Sequence, residues 1–129
     1  MNKRILITAA FLGCLGIILG AFAAHGLKDA IDAESAATFE TGVRYQMYHA
    51  LLLLFVGSTS IIRSKTKKGV FYLVIIGLLF FSGSIYGLAT NTLTGFDFKS
   101  IAFITPIGGL LLITSWILLL IDFFKLKAD

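Results

Sequence analysis

The chain has 129 residues, 57% of them hydrophobic and 14% charged, with 11 Lys and Arg against 7 Asp and Glu. This composition excludes an ordinary soluble domain and points to an integral membrane protein. A single cysteine, Cys14, excludes a disulfide framework, a cysteine-based zinc site and a dithiol relay within the chain.

Four apolar stretches reach or approach the roughly 20 residues that cross a bilayer. They lie at about 5–24, 45–62, 70–89 and 101–121. The expected fold is all-α: an integral membrane four-helix bundle in one domain, 1–129, with a short amphipathic outer helix between spans one and two.

The first span opens on Lys3 and Arg4 and ends near Ala21-Phe22-Ala23, which fits an A-x-A cleavage site. Its apolar run of about 20 residues exceeds a signal-peptide core, so it is expected to remain as a span. Phe11-Leu12-Gly13-Cys14 is a poor lipoprotein signal, and Cys14 is expected to be packed. Ala9, Gly13, Gly16, Gly20 and Ala24 draw one smooth stripe along a helix. That stripe lets another helix approach closely, either within the chain or as the seam of a homo-oligomer.

After His25 the chain turns polar, with Lys28, Asp29, Asp32, Glu34 and Glu40. Asp32 is placed to cap a helix, Glu34 suits its first turn, and Ala33 to Phe39 has the composition of the amphipathic outer helix. Unbroken helix from Ala33 to Ile62 would be about 45 Å long, beyond the roughly 30 Å hydrocarbon core, so a bend is expected near Gly42.

The second span opens on Glu40-Thr-Gly-Val-Arg-Tyr-Gln-Met-Tyr-His49. On a helix, Glu40, Arg44 and Tyr48 share one face, with Tyr45 and His49 paired beside them. The third carries Gly77 and then Ser82, Gly83, Ser84, Tyr86 and Gly87. Its small residues suit close packing, and its serines can bond to their own helix carbonyls. The fourth opens with Thr105, Pro106, Gly108 and Gly109, and Pro106 falls near the helix start, where a missing N–H matters least. Tyr72 and Trp116 are expected as interfacial anchors.

Eight of the eleven basic residues, Lys3, Arg4, Arg63, Lys65, Lys67, Lys68, Lys125 and Lys127, fall on one side of these spans. The positive-inside rule then puts both termini in the cytoplasm. The run Arg63-Ser-Lys-Thr-Lys-Lys68 reads as topology and contact with anionic headgroups, and not as a nucleic-acid patch.

At the outer end, His25, Glu40, Arg44, Tyr45, Tyr48, His49, Ser82, Ser84, Tyr86 and Thr105 form the candidate polar cluster. Counted from the outer boundaries of the spans, His49, Tyr86 and Thr105 all lie about 6 Å deep and can meet. Polar side chains in lipid normally face the bundle interior, so Glu40, Arg44 and His49 are expected to share an internal network. A metal reading would use His25, His49 and Glu40, and a haem reading the two histidines, but no tight ligand spacing or attachment motif supports either, and no cofactor is indicated. No serine stands near either His as a nucleophile.

Gly20-Ala21-Phe22-Ala23-Ala24-His25-Gly26-Leu27, Tyr45-Gln46-Met47-Tyr48-His49-Ala50-Leu51, Phe81-Ser82-Gly83-Ser84-Ile85-Tyr86 and Ile104-Thr105-Pro106-Ile107-Gly108-Gly109 resemble, in order, the signatures of the YgdD/YwdK-like family of small four-span membrane proteins. Ala23 stands where glycine is more usual. The resemblance covers nearly the whole chain and implies a multi-pass protein of the bacterial cytoplasmic membrane. It brings with it no substrate, cofactor or reaction.

The leading functional reading is a non-enzymatic bundle that supports the membrane or a partner complex through small-residue seams: Gly13, Gly16, Gly20, Gly83, Gly87, Gly108 and Gly109. The alternatives are a small transporter or channel subunit, or a site for a lipid headgroup or metal. Proton-coupled export wants a carboxylate within the membrane, and the spans offer only Asp122 at one end. Membrane lipids are the partners the sequence implies, and it names no protein partner.

Overall fold

The computed structural model describes residues 1–127. Among the described residues five α-helices follow one another along the chain: α1, Asn2–His25; α2, Ala33–Ser58; α3, Ser64–Leu78; α4, Ser84–Ala89; and α5, Ile104–Phe124. A five-residue π-turn, Leu79–Gly83, joins α3 to α4, and 3₁₀ turns occupy Leu27–Asp29, Asn91–Leu93 and Phe98–Ile101. The fold is an all-α membrane helix bundle. Three stretches are long and apolar enough to cross a membrane: Asn2–His25, Ser64–Ala89 and Ile104–Phe124. Their outer faces carry exposed Ile7, Phe11, Ile17, Leu79, Leu110 and Ile117, a surface suited to hydrocarbon and not to water.

α2 begins where Asp32 accepts a hydrogen bond from the Ser35 N–H at 2.7 Å. That bond holds the Asp32 carboxyl below its usual range, so the cap is intact at neutral pH and is lost as acid protonates it. The outer turns expected as a short amphipathic helix are present as the first part of α2. The bend expected near Gly42 is absent, and α2 runs unbroken for 26 residues. Its glycine serves packing instead, since a Cβ at Gly42 would stand 2.7 Å from the Tyr86 ring and 3.0 Å from Ile85.

The stripe of small residues on α1 meets α2 of the same chain. Gly13 faces Ala50, Gly16 faces Gln46 and Met47, and Gly20 faces Val43, while Gly57 of α2 faces Ile5 and Leu6. This antiparallel register sets residues 39–58 of α2, and not 45–62, level with residues 5–24 of α1. Cys14, expected in the packing, lies on the exposed side of α1 because the stripe at positions 9, 13, 16 and 20 turns it away.

α3 and α5 form a second antiparallel pair around Gly77 and Gly108. A Cβ at Gly108 would stand 2.7 Å from the Phe80 carbonyl carbon and 2.8 Å from the Gly77 carbonyl oxygen, so two backbones touch there. The π-turn begins two residues after Gly77. Gly109 makes ordinary contact with the Phe81 ring at 3.6 Å. Gly83 and Gly87 do not act together as the expected seam: Gly83 is exposed with only the Leu78 carbonyl within 4 Å, while Gly87 lies against the Phe98 ring in the loop between α4 and α5.

The two pairs join where α2 lies along the π-turn and α4. A core of Ile5, Leu53, Val56, Val70, Val74 and Leu112 fills the half nearer the N-terminus. A smaller cluster of Ala23, Leu27, Phe39 and Ala89 closes the other end.

Two glycine substitutions separate these roles. Gly108→Ala should lower the melting temperature in detergent by the equivalent of about 2 kcal/mol, because the obstructing atoms are backbone. Gly83→Ala should leave melting unchanged or raise it, since alanine gains about 1 kcal/mol over glycine in a helix.

Candidate functional site

Gln46 stands near the middle of α2, 4% exposed. Its amide nitrogen donates to the Leu12 carbonyl of α1 at 2.8 Å, and its amide oxygen accepts from the Tyr86 hydroxyl of α4 at 2.6 Å. One side chain therefore ties three helices. Ser82, in the π-turn, donates to the Gly42 carbonyl of α2 at 2.8 Å. Ser84 reaches back to the Phe80 and Phe81 carbonyls and meets the Thr105 hydroxyl of α5. Phe39 and Tyr86 stack beside this cluster with ring centroids 4.8 Å apart.

His49 is 4% exposed and bridges in the other direction. Its Nδ1 lies 2.7 Å from the Tyr45 carbonyl, and its Nε2 lies 3.1 Å from the Trp116 indole nitrogen of α5. A carbonyl can only accept and an indole N–H can only donate. Nδ1 therefore carries the proton, and the ring is neutral with both nitrogens engaged. Trp116, expected as an interfacial anchor, is instead the partner of His49 at mid-helix.

The network expected among Glu40, Arg44 and His49 does not form. Glu40 and Arg44 are exposed, and the Arg44 guanidinium donates to the Thr41 hydroxyl at 3.3 Å, toward the start of α2. Helical spacing does put Glu40, Arg44 and Tyr48 on one face, but that face looks away from the bundle. Tyr45 and Tyr48 are 39% and 51% exposed, with ring centroids 5.6 Å apart. His25 is exposed at the end of α1. Gly13 is level with Ala50, so His25, a dozen residues further on, lies about 18 Å from His49 along the axis. Glu40, His25 and His49 do not converge, and among the described residues no three His, Cys, Asp or Glu side chains gather in a metal-binding group. Tyr86, Ser84 and Thr105 reach the interior, but Tyr86 pairs with Gln46 and not with His49.

A second polar cluster lies at the end that carries the N-terminus. Asp122 of α5, 2% exposed, accepts from the Arg63 Nε and backbone N–H and from the Thr66 hydroxyl at 2.8 Å. Its carboxylate thus occupies the start of α3 in the manner of a capping side chain donated by another helix. Lys67, 5% exposed, reaches the Thr59 carbonyl that follows α2 and the Asn2 side chain that opens α1. Four helix ends are held by two neighbouring residues, Thr66 and Lys67, with Arg63 beside them. The sequence reading absorbed these residues into a topology signal. The lone acid near the end of α5, set against a run of four bases, is the clue the sequence offers.

Every buried side-chain nitrogen and oxygen among the described residues has a hydrogen-bond partner. The arrangement is suited to fixing helices against one another, with its histidine and carboxylate already committed to protein partners.

The family described as "Protein of unknown function (DUF423)" matches residues 19–109. The chain belongs to this family. It is 39% identical over 124 residues to the UPF0382 membrane protein SSP2132 of Staphylococcus saprophyticus, covering 96% of this chain and 99% of that one. It is 37% identical to the UPF0382 membrane protein YwdK of Bacillus subtilis, over 95% and 98% of the two chains. The UPF0382 inner membrane protein YgdD of Escherichia coli is 33% identical, over 98% of this chain and 93% of its own. No solved structure matches the chain. The segment matched by the DUF423 family contains Gln46, His49, Ser82, Ser84, Tyr86 and Thr105, and it excludes Asp122.

The ionic cluster yields a direct test. Arg63→Ala leaves a buried carboxylate with one backbone donor and one hydroxyl, and it should cost about 2 kcal/mol in detergent melting. Lys65→Ala, on the exposed side of the same turn, should change stability by less than about 0.5 kcal/mol.

Proposed function

We propose that this DUF423 member is a four-pass protein of the bacterial cytoplasmic membrane, with both termini in the cytoplasm, and that it acts as a non-enzymatic structural element of that membrane. The single observation that carries the structural role is the commitment of three interior polar groups to neighbouring helices: Gln46 to α1 and α4, His49 to α5, and Asp122 to the start of α3. A transporter coupled to protons would need a carboxylate free to exchange one, and Asp122 is held by three donors.

The register of α2 against α1 supports the fourth pass. Residues 39–58 lie level with an apolar span, so α2 crosses with its neighbour although Glu40 and Arg44 lower its hydropathy. Arg44 then extends toward the outer headgroups. The eight basic residues on the side of the termini, against three on the other, support the orientation.

Cysteine labelling tests this topology. In a Cys14→Ser background, cysteines replacing Lys28 and Lys99 should react with a membrane-impermeant maleimide in intact cells or spheroplasts, and one replacing Lys65 should react only after lysis. Labelling at positions 28 and 65 from the same side would show that α2 does not cross.

A further inference from the structure

α1 and α3 touch at the terminal end of the bundle, where Lys67 donates to the Asn2 side chain, and beyond that contact a lateral groove of about 460 Å³ opens between them from the bundle surface. Its walls are Leu12 and Leu15 of α1 and Ile75 and Leu78 of α3, and its floor carries Gln46 and Tyr86. Along α1 the lining runs from Thr8 to Leu19, a length of about 16 Å. The space is long, narrow and apolar. Both walls continue toward the terminal end of the bundle as helical stripes with charged ends. Arg4 stands one turn before Thr8 on α1, and Lys68 stands two turns before Ile75 on α3, with Tyr72 between them. All three are exposed.

From this juxtaposition we propose that the groove binds one anionic phospholipid, its phosphate at Arg4 and Lys68 and one acyl chain lying between α1 and α3. The two stripes are charge-complementary to a phosphate, since each carries one base beyond the groove, Arg4 or Lys68, while no acid lies on either stripe between those bases and the floor. The groove's length suits a linear chain entering from the leaflet at that end. Gln46 and Tyr86, which already bond to each other, form a polar floor near mid-membrane, so the occupant needs no buried charge of its own. Gly83 lines the far end, and its exposed α-carbon leaves the groove open where a side chain would narrow it.

This site is independent of the structural role proposed above. It is tested by native mass spectrometry of the full-length protein taken from vesicles of phosphatidylethanolamine and phosphatidylglycerol in equal amounts. One phosphatidylglycerol per chain should survive detergent removal, favoured about tenfold over phosphatidylethanolamine. The preference should vanish in the Arg4→Gln/Lys68→Gln double variant. Gly83→Trp, which adds bulk at a position without protein neighbours, should melt like the parent and retain several-fold less lipid. A parent protein that retains no lipid, lipid retained without headgroup preference, equal retention in Gly83→Trp, or a dimer whose partner fills the groove would each overturn the proposal.

Discussion

In hydrocarbon a polar atom has no solvent partner, so each one must be matched inside the protein. Gln46 meets that demand with the largest reach. Its amide spans from a backbone carbonyl in the middle of α1 to the phenol of α4, and α2 passes between them. Because α1 and α2 pack through small residues, the Gln46 side chain is close enough to reach a main-chain acceptor on its neighbour. Because Gly42 lacks a side chain, Tyr86 can come down onto α2 and offer its hydroxyl. The glycines and the glutamine are therefore one device: close backbones make the hydrogen bond possible, and the bond fixes which backbones are close.

The same logic orders the second helix pair. Gly77 and Gly108 bring α3 and α5 into backbone contact just before the π-turn. A π-turn shifts the helix register by a fraction of a turn. Here it presents Ser82 to α2 and Ser84 to α5, two residues apart in sequence and facing different partners. At the terminal end the requirement is ionic, and Asp122 with Lys67 gathers the starts of α1 and α3 and the ends of α2 and α5. The two pairs leave open seams at their flanks. The His49–Trp116 bond crosses the seam between α2 and α5, and the seam between α1 and α3 is bridged at its terminal end by Lys67 and Asn2, with the groove opening beyond that bridge.

Much of this architecture was legible in the residues, and the reasons for the rest are specific. Hydropathy picks out the three helical stretches long and apolar enough to cross a membrane, and the cap at Asp32 and the stripe at Gly13, Gly16 and Gly20 follow from local rules. Helical periodicity says which side chains share a face, but it does not say which face turns inward. Polarity alone therefore points Glu40 and Arg44 inward, while in the structure the face carrying Gln46 and His49 holds the interior. Hydropathy also starts the second apolar stretch at Tyr45, since Glu40 and Arg44 depress the average, whereas packing against α1 begins near Phe39. Gln46 is uncharged and drew no attention beside Arg44 and His49. The Arg63–Asp122 contact joins positions 59 residues apart, a separation no local pattern reports. The π-turn has no sequence signal beyond the Ser82-Gly83 at its end.

The central claim is that Gln46 and Tyr86 act as one interhelical unit. The most direct measurement is a double-mutant cycle of unfolding free energy in detergent with Gln46→Leu, Tyr86→Phe and the double variant. The account predicts a coupling of about 1 kcal/mol or more, with the double variant less destabilised than the sum of the single ones, because removing one partner orphans the other in a dry interior. Strict additivity would contradict it and leave the two residues as independent packing elements.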